Sequence, residues 1–344
     1  MPVIAKQADW QFASKSKHTA DNKRTRKQRV EASYVPAIGS LPVSRFDVKV
    51  PSKRKSIGDH KKTQKRRKPS GGDHASALAP AAPAGMVWDS ENWSCAYDSL
   101  MSVLYDIWSD KPKNWTTIFR GMNANMKMLS TGFRQFSKEE IYFETARDRV
   151  RAELNASDPQ SFPYGKAGTA IHVLVDCLGS LDLVKGLEVS YCRGCTTQFE
   201  VEFEGRAYID CPNSHHSSTQ EWLNSWILRT TGTACAGCGG RVYKERRFGK
   251  SIDLLLFNLG SDEVEIDLKM KVPGEKAARV LELRGVVYTD GAHYTARIID
   301  REGCVWRYDS MADDKCVEDS WEGILEGIGR KGVVAIYAKK SNKR

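Results

Sequence analysis

The chain has 344 residues, of which 40% are hydrophobic and 28% are charged, and its formal net charge is +10. This size and apolar content allow one large domain or two smaller ones, and no apolar run approaches the roughly 18 residues of a membrane span. Because the N-terminal stretch MPVIAKQADWQFASKSKH lacks the apolar region of a secretory signal, we expect an intracellular, reducing compartment. The nine cysteines are then expected to be metal ligands or catalytic groups, in preference to disulfides.

The positive charge belongs to an N-terminal tail. Residues 1–86 hold 19 Lys and Arg against 6 Asp and Glu, a net charge of +13, whereas the other 258 residues hold 34 against 37, a net charge of −3. Few large apolar residues and no helical or strand period predict that this tail is disordered. It ends in a Pro/Ala/Gly linker, Pro69–Gly85, and we predict one folded domain over residues 87–340.

Two basic clusters lie within the tail, in Lys53–Lys68. Clustered Lys and Arg are typical of a nuclear import signal and also of a nucleic-acid contact. No aromatic residue interleaves these clusters to stack on bases, so the pattern favours nuclear import. The predicted location is the nucleus, with the cytoplasm as a second compartment.

Three helices are predicted after the linker. Ser94 is a suitable N-cap for the first helix, which places Cys95 in its first turn. The apolar stripe of this helix is formed by Ala96, Leu100, Val103, Leu104 and Ile107. Residues 138–155 and 169–181 have the period of a second and a third helix.

The C-terminal third changes to the patterns of β-strands. Ser251–Gly260 is a compact apolar run, and Val264–Val272 alternates between apolar and polar residues. Four further runs follow, separated by turn residues: LELRGVVYTD, AHYTARIID, VWRYDS and VVAIYAK. Such runs predict an antiparallel sheet. Because the predicted helices precede the predicted strands along the chain, we expect the α+β class.

Two C-x-x-C pairs lie between the helices and the late strands. They are Cys192 with Cys195, and Cys235 with Cys238. Each pair can form a tight turn that offers two thiolates to one tetrahedral ion, and this spacing is a strong zinc signal. The pattern predicts a structural Zn²⁺ that organises a finger-like insertion over about residues 190–245.

Only four histidines occur outside the tail. His215 and His216 lie with Cys211 between the cysteine pairs, where they could replace a zinc ligand or form a second site, although a solvated loop is the expected place for the two histidines. His172, among aliphatic residues of the third helix, is predicted to fill the core. His293 is therefore the best candidate for a catalytic base.

Cys95 and His293 have the properties of a thiol peptidase site. A helix N-terminus lowers the pKa of a thiol, so we expect a populated Cys95 thiolate, whereas the alternative is a cysteine that only fills the core. His293 opens a strand after an Asp-Gly turn, and Asp309 follows the next strand. An antiparallel hairpin would bring His293 and Asp309 together, as a base and the group that orients it.

These stretches are similar to a known family. NWSCAYDSLMSVLYDIW resembles the cysteine box of ubiquitin-specific proteases, and LRGVVYTDGAHYTARIIDREGCVWRYDS resembles their histidine box, with the cysteine pairs where that family carries zinc-bound fingers. The resemblance covers residues 88–340. It implies a papain-like fold of thumb, palm and fingers, and cleavage after the C-terminal Gly-Gly of ubiquitin. It also implies that Cys95 is the nucleophile, His293 the general base and Asp309 its orienting partner.

The sequence departs from the family pattern near both boxes. The family has an asparagine five residues before its cysteine, where this chain has Ser90, so we expect Asn92 or the backbone N–H of Cys95 to stabilise the oxyanion. Ala292 replaces the glycine that usually precedes the histidine, and the Gln-Asp-rich box before the third helix is absent.

The leading interpretation is therefore a deubiquitinase whose partners are ubiquitin and its conjugates. The alternatives are a protease for SUMO or another ubiquitin-like protein, and a catalytically inactive module that binds such a modifier. A zinc-ribbon nucleic-acid binder would need a basic folded domain, whereas the domain carries −3. Contact with nucleic acid is expected through the tail only, and no contact with membranes is expected.

Overall fold

The structure is a computed structural model, and all described residues belong to the second of the two units into which the chain divides, His74–Arg344. The predictions for Lys53–Lys68, Cys211, His215 and His216 lie outside the described residues. Among the residues that are described, no helix combines the length and apolarity that a membrane crossing requires. The described ranges are 81–167, 169–195, 198–210, 218–248, 252–259, 264–273, 278–312, 315–326 and 331–340.

A helical layer comes first in the described chain. Its helices are α1 (Cys95–Asp110), α2 (Pro112–Arg120), α3 (Ala124–Phe136), α4 (Phe143–Ser157) and α5 (Ile171–Gly179). The predicted apolar stripe of α1 is buried, and its polar residues Ser99 and Ser102 are buried as well. This happens because α1 packs against the other helices of the layer and also against the main sheet. It is the central helix of the domain.

The helical layer differs from the prediction in several ways, since α2 and α3 are not among the three predicted helices. The second predicted helix starts only at Phe143, because the chain turns through Glu139 with a left-handed φ of 61°. Gly132 on α3 allows a close approach to α4, since a Cβ at this position would lie 2.5 Å from the Cβ of Ala146. His172 was predicted to be buried and is exposed, because α5 turns other residues towards the core.

The main sheet has eight strands, with order β11-β10-β9-β8-β12-β6-β3 and β7 paired to β8. The pairings are antiparallel except for β3 with β6. The strands are β3 (Tyr208–Asp210), β6 (Leu254–Asn258), β7 (Lys269–Val272), β8 (Arg279–Thr289), β9 (Tyr294–Ile299), β10 (Val305–Tyr308), β11 (Val317–Asp319) and β12 (Lys331–Lys339). Two short helices accompany these strands in the chain, α6 (Thr219–Ile227) and α7 (Trp321–Glu326).

The alternating run Val264–Val272 is a strand only in its second half. Asp267 accepts a hydrogen bond from the backbone N–H of Gln220 at 2.7 Å, and its own N–H donates to Thr219 Oγ1. These residues belong to the first turn of α6, so the first half of the run caps a helix and does not extend β7.

A second sheet of four antiparallel strands forms the fingers, with order β2-β1-β5-β4. Its strands are β1 (Ser180–Cys192), β2 (Gln198–Arg206), β4 (Leu228–Ala234) and β5 (Arg241–Phe248). The insertion is therefore longer than the predicted 190–245, because β1 starts directly after α5.

The packed domain begins upstream of the predicted boundary at residue 87. Met86 is fully buried in the core, and Ala84 forms a β-bridge with Lys315. The hydroxyl of Tyr308 accepts a hydrogen bond from the Met86 N–H at 3.0 Å and donates one to the Met86 carbonyl at 2.5 Å. Met86, which directly follows the predicted linker, is thus hydrogen-bonded to β10.

Candidate active site and metal centre

Cys95 is the first residue of α1 and is 6% exposed. The backbone N–H of Tyr294, the first residue of β9, lies close enough to this thiol to act on the pKa of Cys95 and lower it. The packing of α1 on β9 therefore places the thiol beside the residue that follows His293.

His293 and Asp309 are brought together by the predicted hairpin. The pairing of β9 with β10 joins Ala296 to Tyr308, so the residues just before β9 and just after β10 lie side by side. The Nε2 atom of His293 is 2.7 Å from Asp309 Oδ1. The loop before His293 is fixed as well, because Asp290 Oδ1 accepts the His293 N–H at 2.8 Å.

The other ring nitrogen of His293, Nδ1, is buried and has no hydrogen-bond partner among the described residues. Because Asp309 is a carboxylate and accepts from Nε2, the neutral ring carries its proton on Nε2. Nδ1 then has a free lone pair and can accept a proton. This is the state that a general base needs.

The thiol of Cys95 does not have the predicted lowered pKa. Burial raises the pKa of Cys95 above its ordinary value, the N–H of Tyr294 opposes this rise, and the negative charge of Asp98 adds to it. Asp98 lies one turn along α1 and is fully buried, in an ion pair of 2.7 Å with Arg147 on α4. The raised pKa, whose main cause is burial, opposes the expected population of a Cys95 thiolate.

Ser94 occupies the N-cap position, but its side chain does not cap the helix. Its backbone is helical (φ −82°, ψ −4°), and its hydroxyl donates to Asp98 Oδ2 at 2.7 Å. The same hydroxyl accepts the backbone N–H of Asp89 at 2.8 Å. Ser94 therefore links the segment before Cys95 to α1.

Residues 89–94, which we call the cysteine loop, contain Asn92. Its Nδ2 donates to Asp89 Oδ2 at 2.7 Å, and its Oδ1 accepts the N–H of Gly165 at 3.1 Å. The amide carries two hydrogens and Asp89 takes one of them, so the role of Asn92 in an oxyanion hole stays a prediction. The next residue, Trp93, has a left-handed φ of 55°, a conformation that costs a bulky side chain about 1–3 kcal/mol.

The four predicted metal ligands converge at the tips of two finger hairpins. Cys192 is the last residue of β1 and Cys195 lies in the turn that follows it, whereas Cys235 and Cys238 both lie in the turn between β4 and β5. All four sulfurs lie within 4.8 Å of one another. Sulfurs at the corners of a tetrahedral zinc site are about 3.8 Å apart, since each Zn–S bond is about 2.3 Å. The four thiols can hold one metal ion.

Two glycines shape the second of these turns. Gly239 has a left-handed φ of 70°, and its N–H donates to the carbonyl of Cys235 at 2.8 Å. A Cβ on Gly240 would lie 3.2 Å from Cys238 Sγ and 3.3 Å from Cys192 Sγ. A side chain at Gly240 would therefore crowd two of the four sulfurs.

No protein-family model matches the chain, and no curated protein matches it in sequence. Among solved structures, the SAGA DUB module Ubp8/Sgf11/Sus1/Sgf73 bound to monoubiquitin is similar with a TM-score of 0.51 at 12% identity, over 78% of this chain and 72% of that chain. The same module bound to ubiquitin aldehyde gives a TM-score of 0.47 at 14% identity, over 76% and 70%. The first similarity shows a fold like that of ubiquitin-specific proteases. The predicted α+β fold of thumb, palm and fingers is confirmed.

Proposed function

We propose that this chain is a thiol-dependent deubiquitinase that cleaves the isopeptide or peptide bond after the C-terminal Gly-Gly of ubiquitin. One observation carries the proposal. The buried Nδ1 of His293 has no hydrogen-bond partner among the described residues and belongs to a ring held by Asp309, and α1 packs on β9 so that the N–H of the next residue, Tyr294, acts on the pKa of the Cys95 thiol. A cysteine peptidase requires a nucleophile, a base and an orienting group in this relation.

In the proposed reaction, His293 Nδ1 removes the thiol proton while the Cys95 sulfur attacks the carbonyl carbon of the terminal glycine. A base is needed at this step because the buried thiol is protonated at rest. The carbonyl oxygen becomes an oxyanion, for which the Cys95 N–H and the Asn92 amide are the proposed donors. The imidazolium, stabilised by Asp309, then protonates the leaving amine, and a thioester remains.

Hydrolysis of the thioester completes the proposed cycle. His293 takes a proton from a water molecule, and the resulting hydroxide attacks the thioester carbonyl. The Cys95 sulfur leaves as a thiolate and recovers its proton from His293. The new Gly-Gly carboxylic acid loses its proton to solvent and leaves as a carboxylate, and the site returns to its starting state.

We also propose that zinc is the metal at the finger tips, held by Cys192, Cys195, Cys235 and Cys238. Four thiolates fill a tetrahedral sphere, so the ion would have a structural role and would join the two hairpins. Binding of the ion is then coupled to folding of the fingers.

Ubiquitin is the favoured modifier because the similar solved structure is bound to monoubiquitin. SUMO or another ubiquitin-like protein is the alternative within the same chemistry. A catalytically inactive module is the alternative from another class. It is favoured by Ser90, which stands where the family has an asparagine, and by the engagement of the Asn92 amide with Asp89.

For location, we propose that Lys53–Lys68 directs the protein to the nucleus. The two basic clusters and the lack of interleaved aromatic residues support this proposal.

The test is hydrolysis of ubiquitin and of SUMO that carry a C-terminal fluorogenic amide. Cys95→Ala should abolish turnover. His293→Ala should lower kcat/KM by ~10²–10⁴-fold, the usual contribution of a general base, and Asp309→Ala should cost less because Asp309 acts through the ring. Cys177→Ala, a half-buried cysteine on α5, is the control and should keep wild-type rates. A wild-type protein that binds ubiquitin without any turnover would support the inactive module.

A further inference from the structure

A buried arginine on α4 contacts the segment that precedes the proposed nucleophile. Arg151 is 1% exposed, and its guanidinium lies between the ring of Tyr97 on α1, at 4.9 Å, and the ring of Tyr164, at 4.6 Å. Its Nη2 donates to two main-chain carbonyls, those of Asn92 and Pro163. One guanidinium thus joins α1, the cysteine loop and the segment around residue 164.

The surroundings of Arg151 differ from those of an ordinary buried ion pair. Among the described residues no carboxylate pairs with it, and its Nε and Nη1 atoms have no hydrogen-bond partner. Burying a guanidinium without a carboxylate is costly, and an apolar side chain of the same length would avoid that cost. What the arginine adds is a planar donor that can hold two carbonyl oxygens while it stacks on aromatic rings.

The carbonyl that Arg151 holds belongs to a strained part of the chain. Asn92 is followed by Trp93, whose φ of 55° is unfavourable for a bulky side chain, and Trp93 is 44% exposed. A second hydrogen bond joins the cysteine loop to the segment around residue 164, since Gly165 donates its N–H to Asn92 Oδ1 at 3.1 Å. A conformation of this kind persists only where the surrounding contacts fix it.

We propose that Arg151 is a positioning residue that holds the cysteine loop in the conformation that presents Cys95 to the substrate carbonyl. The inference rests on the proposed isopeptidase function. Arg151 touches neither the thiol nor His293 in the described contacts, so it acts through the Asn92 peptide. Its loss should leave substrate binding largely intact and should slow the chemical step.

The experiment compares Arg151→Met and Arg151→Lys with the control Arg149→Met in the full-length protein. Arg149 lies on the same helix and bonds Gln135 on the exposed surface. Arg151→Met should lower kcat by ~10²-fold, the usual cost of a misplaced reacting group, with KM within about threefold of wild type. Arg151→Lys should recover only part of kcat, because an ammonium lacks the planar face that lies between the rings of Tyr97 and Tyr164. Arg149→Met should match wild type.

Two further readouts do not depend on activity. Iodoacetamide alkylation of Cys95, measured by mass spectrometry relative to Cys177 in the same sample, should become faster in Arg151→Met because a loosened loop exposes the thiol. Amide hydrogen exchange in the cysteine loop should rise at the same time. If wild-type protein hydrolyses no substrate, the proposed function fails, while these readouts still decide the role of Arg151.

The inference is overturned if Arg151→Met keeps wild-type kcat, or if loop exchange and the Cys95-to-Cys177 alkylation ratio do not change. Full recovery by Arg151→Lys would overturn the role of the planar guanidinium. Should Arg151→Met fail to fold, Tyr164→Leu is the second variant, because it removes only the outer ring, which is 43% exposed. It should shift the same readouts in the same direction by a smaller factor.

Discussion

Tyr308→Phe removes a single oxygen from the centre of the domain. Tyr308 is fully buried at the end of β10, directly before Asp309, and its hydroxyl bonds both the N–H and the carbonyl of Met86. Met86 is fully buried too, so water cannot replace the lost hydroxyl. Two backbone groups would be left without partners.

The size of the effect follows from these two groups. An unsatisfied buried donor or acceptor costs about 1–3 kcal/mol, so the loss of two partners in Tyr308→Phe should lower the free energy of unfolding by about 2–6 kcal/mol. Such a loss is a large share of the ~5–15 kcal/mol that stabilises a typical domain. The removed hydroxyl leaves little empty volume, so the cavity contribution is small.

Urea unfolding of the full-length protein, followed by far-UV circular dichroism, measures this change. Tyr142→Phe is the matched control, since Tyr142 is 83% exposed and its loss should change stability by less than about 0.5 kcal/mol. Deletion of residues 1–80 should leave the free energy of unfolding of the domain unchanged. Deletion of residues 1–88 should lower it by at least as much as Tyr308→Phe does. A Tyr308→Phe protein as stable as the control would refute the reasoning that places Met86 inside the domain.

Three other predictions follow from the site and the tail. Cys235→Ser should abolish tight zinc binding, and Gly240→Ala should weaken it. The control Gly232→Ala should leave zinc binding unchanged, because a Cβ at this position meets nothing within 4 Å. The zinc content of each variant after dialysis, measured by metal analysis, tests this prediction. Because burial raises the pKa of Cys95, its alkylation should rise about tenfold per pH unit from pH 6 to 8, and a rate that is flat over this range would contradict the protonated resting state. A cytosolic reporter fused to Lys53–Lys68 should enter the nucleus. If the fusion stays in the cytosol and binds nucleic acid in a salt-sensitive way, the basic clusters are a nucleic-acid contact instead.

Patterns that depend on local spacing were readable from the sequence. The C-x-x-C pairs predicted the sulfur cluster because each pair needs only one turn, and the two turns meet across β1 and β5 of one sheet. The His293–Asp309 contact was predictable because a short hairpin fixes which residues lie opposite each other.

Features that depend on long-range packing were not readable. The raised pKa of Cys95 depends on burial of the helix N-terminus under β9, which no local pattern reports. The role of Met86 depends on a partner 222 residues away, so composition alone placed it at the end of the tail. Arg151 looked like one more charge on an amphipathic helix, because its aromatic and carbonyl partners come from two other segments.

The most direct test of the central claim is trapping of Cys95 by ubiquitin whose terminal carboxylate is replaced by an electrophile. We predict one covalent adduct, located at Cys95 by mass spectrometry, that forms in wild-type protein and not in Cys95→Ala. Its rate should drop in His293→Ala, because the electrophile must meet the thiolate that the base generates. The matching SUMO probe should react more slowly. Absence of an adduct from both probes, with the protein folded and zinc bound, would contradict the proposed thiol isopeptidase.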